Sequence, residues 1–164
     1  MKSGGFSFFA SRLFGAGMTA LLLMAPPGLA QAQTAPPELA KIQSMVVDMG
    51  FTPKLGSSGD WFSITSSDNY VIDFTLSKDD TVLYLYTEYE ISSAQQPRIP
   101  MLQLLQWNDT HRDYFSISSD KTLVVLNLSL PAEGLTPGML RVAIDDLNGD
   151  AGKSQDIFDP DNWK

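Results

Sequence analysis

Apolar positions along this chain fall into two rhythms. Leu39, Ile42, Met45, Val46 and Met49 recur every three or four residues, the spacing of an amphipathic helix. Pro36 and Pro37 sit at its start and Gly50 where a left-handed cap would follow, which predicts a first helix over 37–49. The rhythm then shortens to two. Residues 61–65 carry Phe62 and Ile64 on one face, 70–76 carry Tyr70, Ile72, Phe74 and Leu76, and 81–91 carry Leu83, Leu85, Thr87 and Tyr89. The breaks between them, Ser66-Ser67-Asp68-Asn69 and Ser77-Lys78-Asp79-Asp80, have turn chemistry. Connections this short make the three strands a meander of antiparallel hairpins.

A connection over 92–100 leads to a second helix, about 99–108, whose stripe is Met101, Leu104, Leu105 and Asn108. The period returns to two in a hairpin, 114–118 and 123–130, with Phe115, Ile117, Val124, Leu126, Leu128 and Leu130 on its apolar side. A third helix opens at Thr136 as N-cap with Pro137 at its first position, and Leu135 and Leu140 are placed for a hydrophobic staple. Leu140, Ala143, Ile144 and Leu147 give it an inner stripe, and Asn148-Gly149 reads as its stop. The predicted fold is α+β, an antiparallel five-stranded sheet with three helices packed on one face, in the order α-β-β-β-α-β-β-α. It occupies residues 33–148. Residues 149–164 form an acidic C-terminal tail, loosely docked through Phe158 and Trp163.

The first thirty-two residues stand apart from this pattern. Lys2 and Arg12 precede an apolar run from Leu13 to Met24, Pro26 and Pro27 break it, and Ala30-Gln31-Ala32 fits a small-x-small cleavage site. The expectation is a signal peptide over 1–32, cleaved after Ala32, with no stable membrane insertion afterwards, because the run is shorter than the ~20 residues that span a bilayer. The 132 residues that follow keep nine basic and nineteen acidic side chains, a net charge of −10. Such a chain is repelled by nucleic-acid phosphates and anionic lipid headgroups. With no cysteine it has no disulfide, thiolate metal site or thiol nucleophile. A leader on a cysteine-free chain suits the bacterial periplasm.

Few residues suggest chemistry. His111, the only histidine, lies in the polar segment Asp109-Thr110-His111-Arg112-Asp113 without a second histidine to complete a metal site. Glu88 and Glu90 share a strand face roughly 7 Å apart, with Asp73 able to face the same way. Paired carboxylates at that spacing serve glycosidases, and equally serve as a charged sheet face. Asp145 to Asp150 has the composition of a calcium loop, but placing Gly149 at loop position 6 puts Ile144 and Gln155 where acids are required. No nucleophile elbow, phosphate loop, zinc-protease or dinucleotide motif is present. No cofactor or metal is expected.

The second face of the sheet is more informative. Alternation places Val71, Val82, Tyr84, Tyr86, Tyr114 and Val125 there, with Ser63, Ser116 and Asn127 among them. Aromatic side chains without a covering helix favour an interface. The interface candidates are Val82, Tyr84, Tyr86, Glu88 and Tyr114, with Trp107 from the second helix.

The element order, together with Leu104, Leu105, Trp107 and Asn108 in the run L-L-Q-W-N, the hairpin Tyr114 to Leu130 and the helix entry Gly134-Leu135-Thr136, resembles the YbjN-like family of bacterial proteins. That family is labelled as sensory-transduction regulators and shares the fold of type III secretion chaperones. The resemblance covers roughly 37–148 and implies a protein-binding or chaperone-like role without catalysis. The leader sets this chain apart from cytoplasmic members. The sequence therefore reads as an exported, non-enzymatic protein-binding module, homodimeric, whose protein partner is held on the sheet face or in a helix groove. The alternative is a periplasmic hydrolase using Glu88 and Glu90, with Asp73 and His111 assisting.

Overall fold

The computed structural model describes residues 35–163, so the leader expected over 1–32 lies outside the described residues. Helix α1, Pro37–Asp48, leads into strands β1, Lys54–Leu55, β2, Trp61–Thr65, β3, Val71–Leu76, and β4, Val82–Glu90. A 3-10 turn, Gln96–Arg98, precedes α2, Met101–Thr110; then come β5, Tyr114–Ile117, and β6, Leu123–Pro131. Helix α3, Pro137–Lys153, the short α4, Gln155–Phe158, and a 3-10 turn, Pro160–Asn162, complete the chain. All strands are antiparallel, in the order β1-β2-β3-β4-β6-β5.

The inner face carries the residues that the two-residue period selects. Phe62, Ile64, Ile72, Phe74, Leu83, Leu85, Phe115, Val124, Leu126, Leu128 and Leu130 are all buried. Phe62 and Phe74, opposite each other in the β2–β3 register, stack with centroids 4.6 Å apart. Leu39, Ile42 and Val46 of α1 and Leu140, Ala143, Ile144 and Leu147 of α3 complete the same core. Thr136 caps α3 by accepting from the Met139 amide at 3.2 Å.

The hairpin turns repeat one device. In Ser77-Lys78-Asp79-Asp80-Thr81 the Ser77 hydroxyl donates to Asp79 at 2.6 Å and accepts from the amides of Thr81 and Val82 at 3.1 and 3.0 Å. In Ser118-Ser119-Asp120-Lys121-Thr122 the Ser118 hydroxyl does the same with Asp120, Thr122 and Leu123. The fourth residue of each takes a positive φ, as does Asn69 in the turn before β3, where Ser66 accepts from the Tyr70 amide.

Three expectations need correction. The sheet has six strands, not five. The extra one, β1, is too short to show alternation, and it forms because the Gly56 amide donates to the Trp61 carbonyl at 2.9 Å while the Trp61 indole lies where a Cβ on Gly56 would be. Helix α3 does not stop at Asn148-Gly149 but continues to Lys153. Ala151 extends the buried stripe one turn beyond Leu147, and with the burial of Phe158 just past the helix it holds this turn against a helix cost of about 1 kcal/mol for each glycine. A fourth helix, α4, lies in the segment expected as a tail. There Phe158 is fully buried, edge-on to Tyr89 at 4.7 Å and tilted against Phe115 at 5.4 Å, and the Trp163 indole donates to the Ile157 carbonyl at 3.0 Å. The segment docks through Phe158 and Trp163 as expected, and these two join the core with Ala151 while Lys153, Asp156, Asp161 and Asn162 stay exposed.

Two glycines give opposite expectations. Gly149→Ala, with nothing within 4 Å of the new methyl group, should stabilise the protein by about 0.5–1 kcal/mol. Gly56→Ala would drive its Cβ into the Trp61 ring and should destabilise by about 1–3 kcal/mol. Urea titration of the two variants checks both signs.

Candidate functional site

Because helices cover one face only, the outward residues of the strands stay unburied throughout. The register sorts them into rows across the sheet. One row runs Lys54, Ser63, Asp73, Tyr86, Asn127, Tyr114. A second runs Trp61, Thr75, Tyr84, Ser129. Val82 faces Pro131 beyond the second row, and Glu88 sits beside Val125 and Ser116 on the other side of the first. Val82, Tyr84, Tyr86, Glu88 and Tyr114 thus share one surface, as the alternation predicts. Tyr84 and Tyr86 are half-buried at its centre, and the Asn127 amide ties its β5 side together by donating to Ser116 at 2.9 Å and the Tyr114 carbonyl at 3.2 Å.

Electrostatically this face is one-sided. Strands β2 to β6 contain no lysine or arginine, while Asp73, Glu88 and Glu90 all point outward from them. Partial burial, reinforced by the Glu88 charge, pushes the Asp73 carboxyl up to about 6. Burial and neighbouring Glu90 also raise Glu88, and burial with the Asp73 and Glu88 charges lifts the Tyr86 hydroxyl to about 12.

Trp107 sits elsewhere. It is half-buried on α2, edge-on to Phe115 at 5.7 Å, with its indole donating to Asp113 at 3.3 Å and the His111 ring stacked on it at 3.7 Å. Its neighbour Asn108 spans the free edge of β5: its amide donates to the Phe115 carbonyl at 2.9 Å and its oxygen accepts from the Phe115 amide at 2.6 Å. The Trp-Asn pair therefore fastens α2 to β5 and satisfies backbone groups that an edge strand would otherwise offer to another chain. His111 Nδ1 lies 3.1 Å from the Trp107 carbonyl and 2.9 Å from the Thr110 hydroxyl. The carboxylates of the hydrolase reading lie on the open sheet face, and His111 packs on Trp107 at the α2–β5 joint. Among the described residues no three His, Cys, Asp or Glu side chains converge to hold a metal ion.

The sequence missed a second exposed feature. The helical spacing places Met101 and Leu105 on the inward stripe of α2, yet of this helix only Leu104 is buried. Met101, Leu102 and Leu105 are 51%, 66% and 60% exposed on neighbouring turns. The signal was Leu102 itself, an apolar residue on the side opposite Leu104.

No protein-family model and no curated protein matches the chain. Solved structures do. YbjN from E. coli superposes with a TM-score of 0.55 at 15% identity over 73% of this chain and 94% of its own. The Yersinia pestis type III secretion chaperone SycH, solved in complex with a stable fragment of YscM2, gives 0.51 at 12% identity over 71% of this chain and 98% of its own. The ExsC–ExsE complex gives 0.52 at 14% identity over 73% and 95%. The fold is that of YbjN and of the type III secretion chaperones.

Two measurements follow from the site. Asn108→Ala strands the amide and carbonyl of Phe115 and should cost about 1–2 kcal/mol, with faster hydrogen exchange at the Phe115 amide. The native state holds the Asp73 proton more tightly than the unfolded chain, whose carboxylate titrates near ~3.9. Stability from this group is therefore complete at low pH and lost as pH rises from about 4 through 6. Asp73→Asn should remove that loss, leaving the variant about 1 kcal/mol more stable than wild type at neutral pH, a value reduced for the half-exposed position, and unchanged near ~pH 4. Thermal melts across the range read it directly.

Proposed function

We propose that this chain is a non-enzymatic, chaperone-like protein-binding module that holds a segment of a partner protein on the outer face of its sheet. The observation that carries this reading is the patch of Val82, Tyr84, Tyr86, Val125 and Tyr114, left without a covering helix on a sheet whose other face packs against the helices. Aromatic side chains supply large contact area at small entropy cost, and the surface is already rigid before a partner arrives. The free edge of β5, closed at Phe115 by Asn108, is the weaker place for a partner strand to pair. Support also comes from relatives in fold that were solved as complexes, SycH with a fragment of YscM2 and ExsC with ExsE.

The apolar face of α2 suits a second copy. Met101, Leu102 and Leu105 stand exposed on one short helix, and isologous pairing of two such helices would bury them against themselves. The leader sequence points to work in the periplasm on a partner exported by the same cell.

The test is capture from periplasmic extract by the chain and by its Tyr84→Ser/Tyr86→Ser variant. The expected result is one specific partner held by the wild type and lost by the variant, with melting temperatures within a few degrees. Retention by the variant overturns the sheet-face reading. Light scattering should show a dimer for the wild type and a monomer for Leu102→Glu/Leu105→Glu; a wild-type monomer overturns the pairing.

A further inference from the structure

The outward positions of β4 grade from apolar to anionic along the strand: Val82, Tyr84, Tyr86, Glu88, Glu90. Each is two residues from the next, roughly 7 Å by strand rise, and Asp73 stands directly opposite Tyr86 on β3. Tyr86 therefore has carboxylates on two sides, Asp73 across the strands and Glu88 along its own. Among the described residues nothing on the face answers their charge. The ion pairs among the described residues, Glu38–Lys41, Arg141–Asp145 and Asp150–Lys153, all lie along helices. Lys54, the one cation in the sheet, is two strands away beyond Ser63. Partial burial and a neighbouring carboxylate raise the proton affinity of both carboxyls, Glu88 acting on Asp73 and Glu90 on Glu88, so their charge is held at a cost that a cation would relieve.

We propose that the partner segment is an extended, cationic one, with Lys or Arg at alternate positions over Tyr86 and Glu88 and apolar side chains over Val82 and Tyr84. This rests on the sheet face being the binding surface and specifies what it selects. An extended chain repeats its side chains at the same interval as β4, so one segment laid along the strand matches the gradient position by position. A basic head over the Tyr86 ring meets its π face and two carboxylates together. A second copy does not fit this face, because the chain carries a net charge of −8 and would bring acid to acid.

The experiment measures fluorescence anisotropy of a labelled extended peptide, Lys alternating with Val at one end and apolar at the other, against the full chain and against residues 33–164. The expected result is binding that weakens with salt, falls about tenfold in Asp73→Asn/Glu88→Gln and is absent for the Glu-for-Lys peptide. Those substitutions should not unfold the protein, and a melt confirms it. Equal binding of the acidic peptide, or undiminished binding by Asp73→Asn/Glu88→Gln, overturns the proposal. Binding by 33–164 that is lost in the full chain also overturns it, and assigns the face to the chain's own N-terminal segment, which carries Lys2 and Arg12 and no acid. If Tyr84→Ser/Tyr86→Ser abolishes partner capture while Asp73→Asn/Glu88→Gln leaves it intact, the sheet-face reading stands and the cationic one falls. If neither substitution matters, both fall.

Discussion

Burial on one side of the sheet, and not the other, is the constraint from which the rest of the structure follows. Phe62, Phe74, Leu85, Leu126 and Leu128 form a continuous apolar floor, and α1 and α3 lie on it with Leu39, Ile42, Val46, Leu140, Ile144 and Leu147. A period of two locks this arrangement, since a slip of one residue in any strand would turn its phenylalanines and leucines into water. The same lock turns tyrosines, carboxylates and serines outward as a set. Binding surface and core are two readings of one alternation, and neither can be shifted without the other.

A sheet of this kind must also manage its edges, and this one uses different means at its two ends. At one end β1 is only two residues long. At the other, α2 reaches over β5 and Asn108 occupies the backbone groups of Phe115 as a neighbouring strand would. The C-terminal segment works from inside: Phe158 fits between Tyr89 and Phe115, so α4 braces the strands that carry both the outer face and the protected edge. Helix α2 serves as a clamp, which accounts for its burying Leu104 alone while Met101, Leu102 and Leu105 face out.

Much of this was legible in the residues. The inward positions of the long strands, the entry to α3 at Thr136 and the membership of the outer face all follow from periodicity and capping, because burial there is decided locally by pattern. What was not legible depended on distant partners. Strand β1 exists because Trp61 packs on Gly56, a contact with no periodic signature. Helix α3 passes Gly149 because Ala151 finds a buried place that a propensity argument cannot see. The roles of Trp107 and Asn108 as fasteners of an edge appear only when α2 is set against β5. The resemblance pointed to these two residues without saying what they do. The leader expected over 1–32 falls outside the described residues.

The matched serine–aspartate turns bear on how the chain reaches this state. Each closes through its own hydroxyl and carboxylate within five residues, so the alignment of β3 with β4 and of β5 with β6 is decided by neighbours in sequence before remote segments meet. Loop closure over so few residues is fast and entropically cheap, and sheets assembled from adjacent hairpins fold sooner than those that must pair ends far apart. The exception is the β4–β6 seam, where the chain returns after all of α2 and β5. That long-range join, and not the turns, carries the larger loop-closure cost of the sheet.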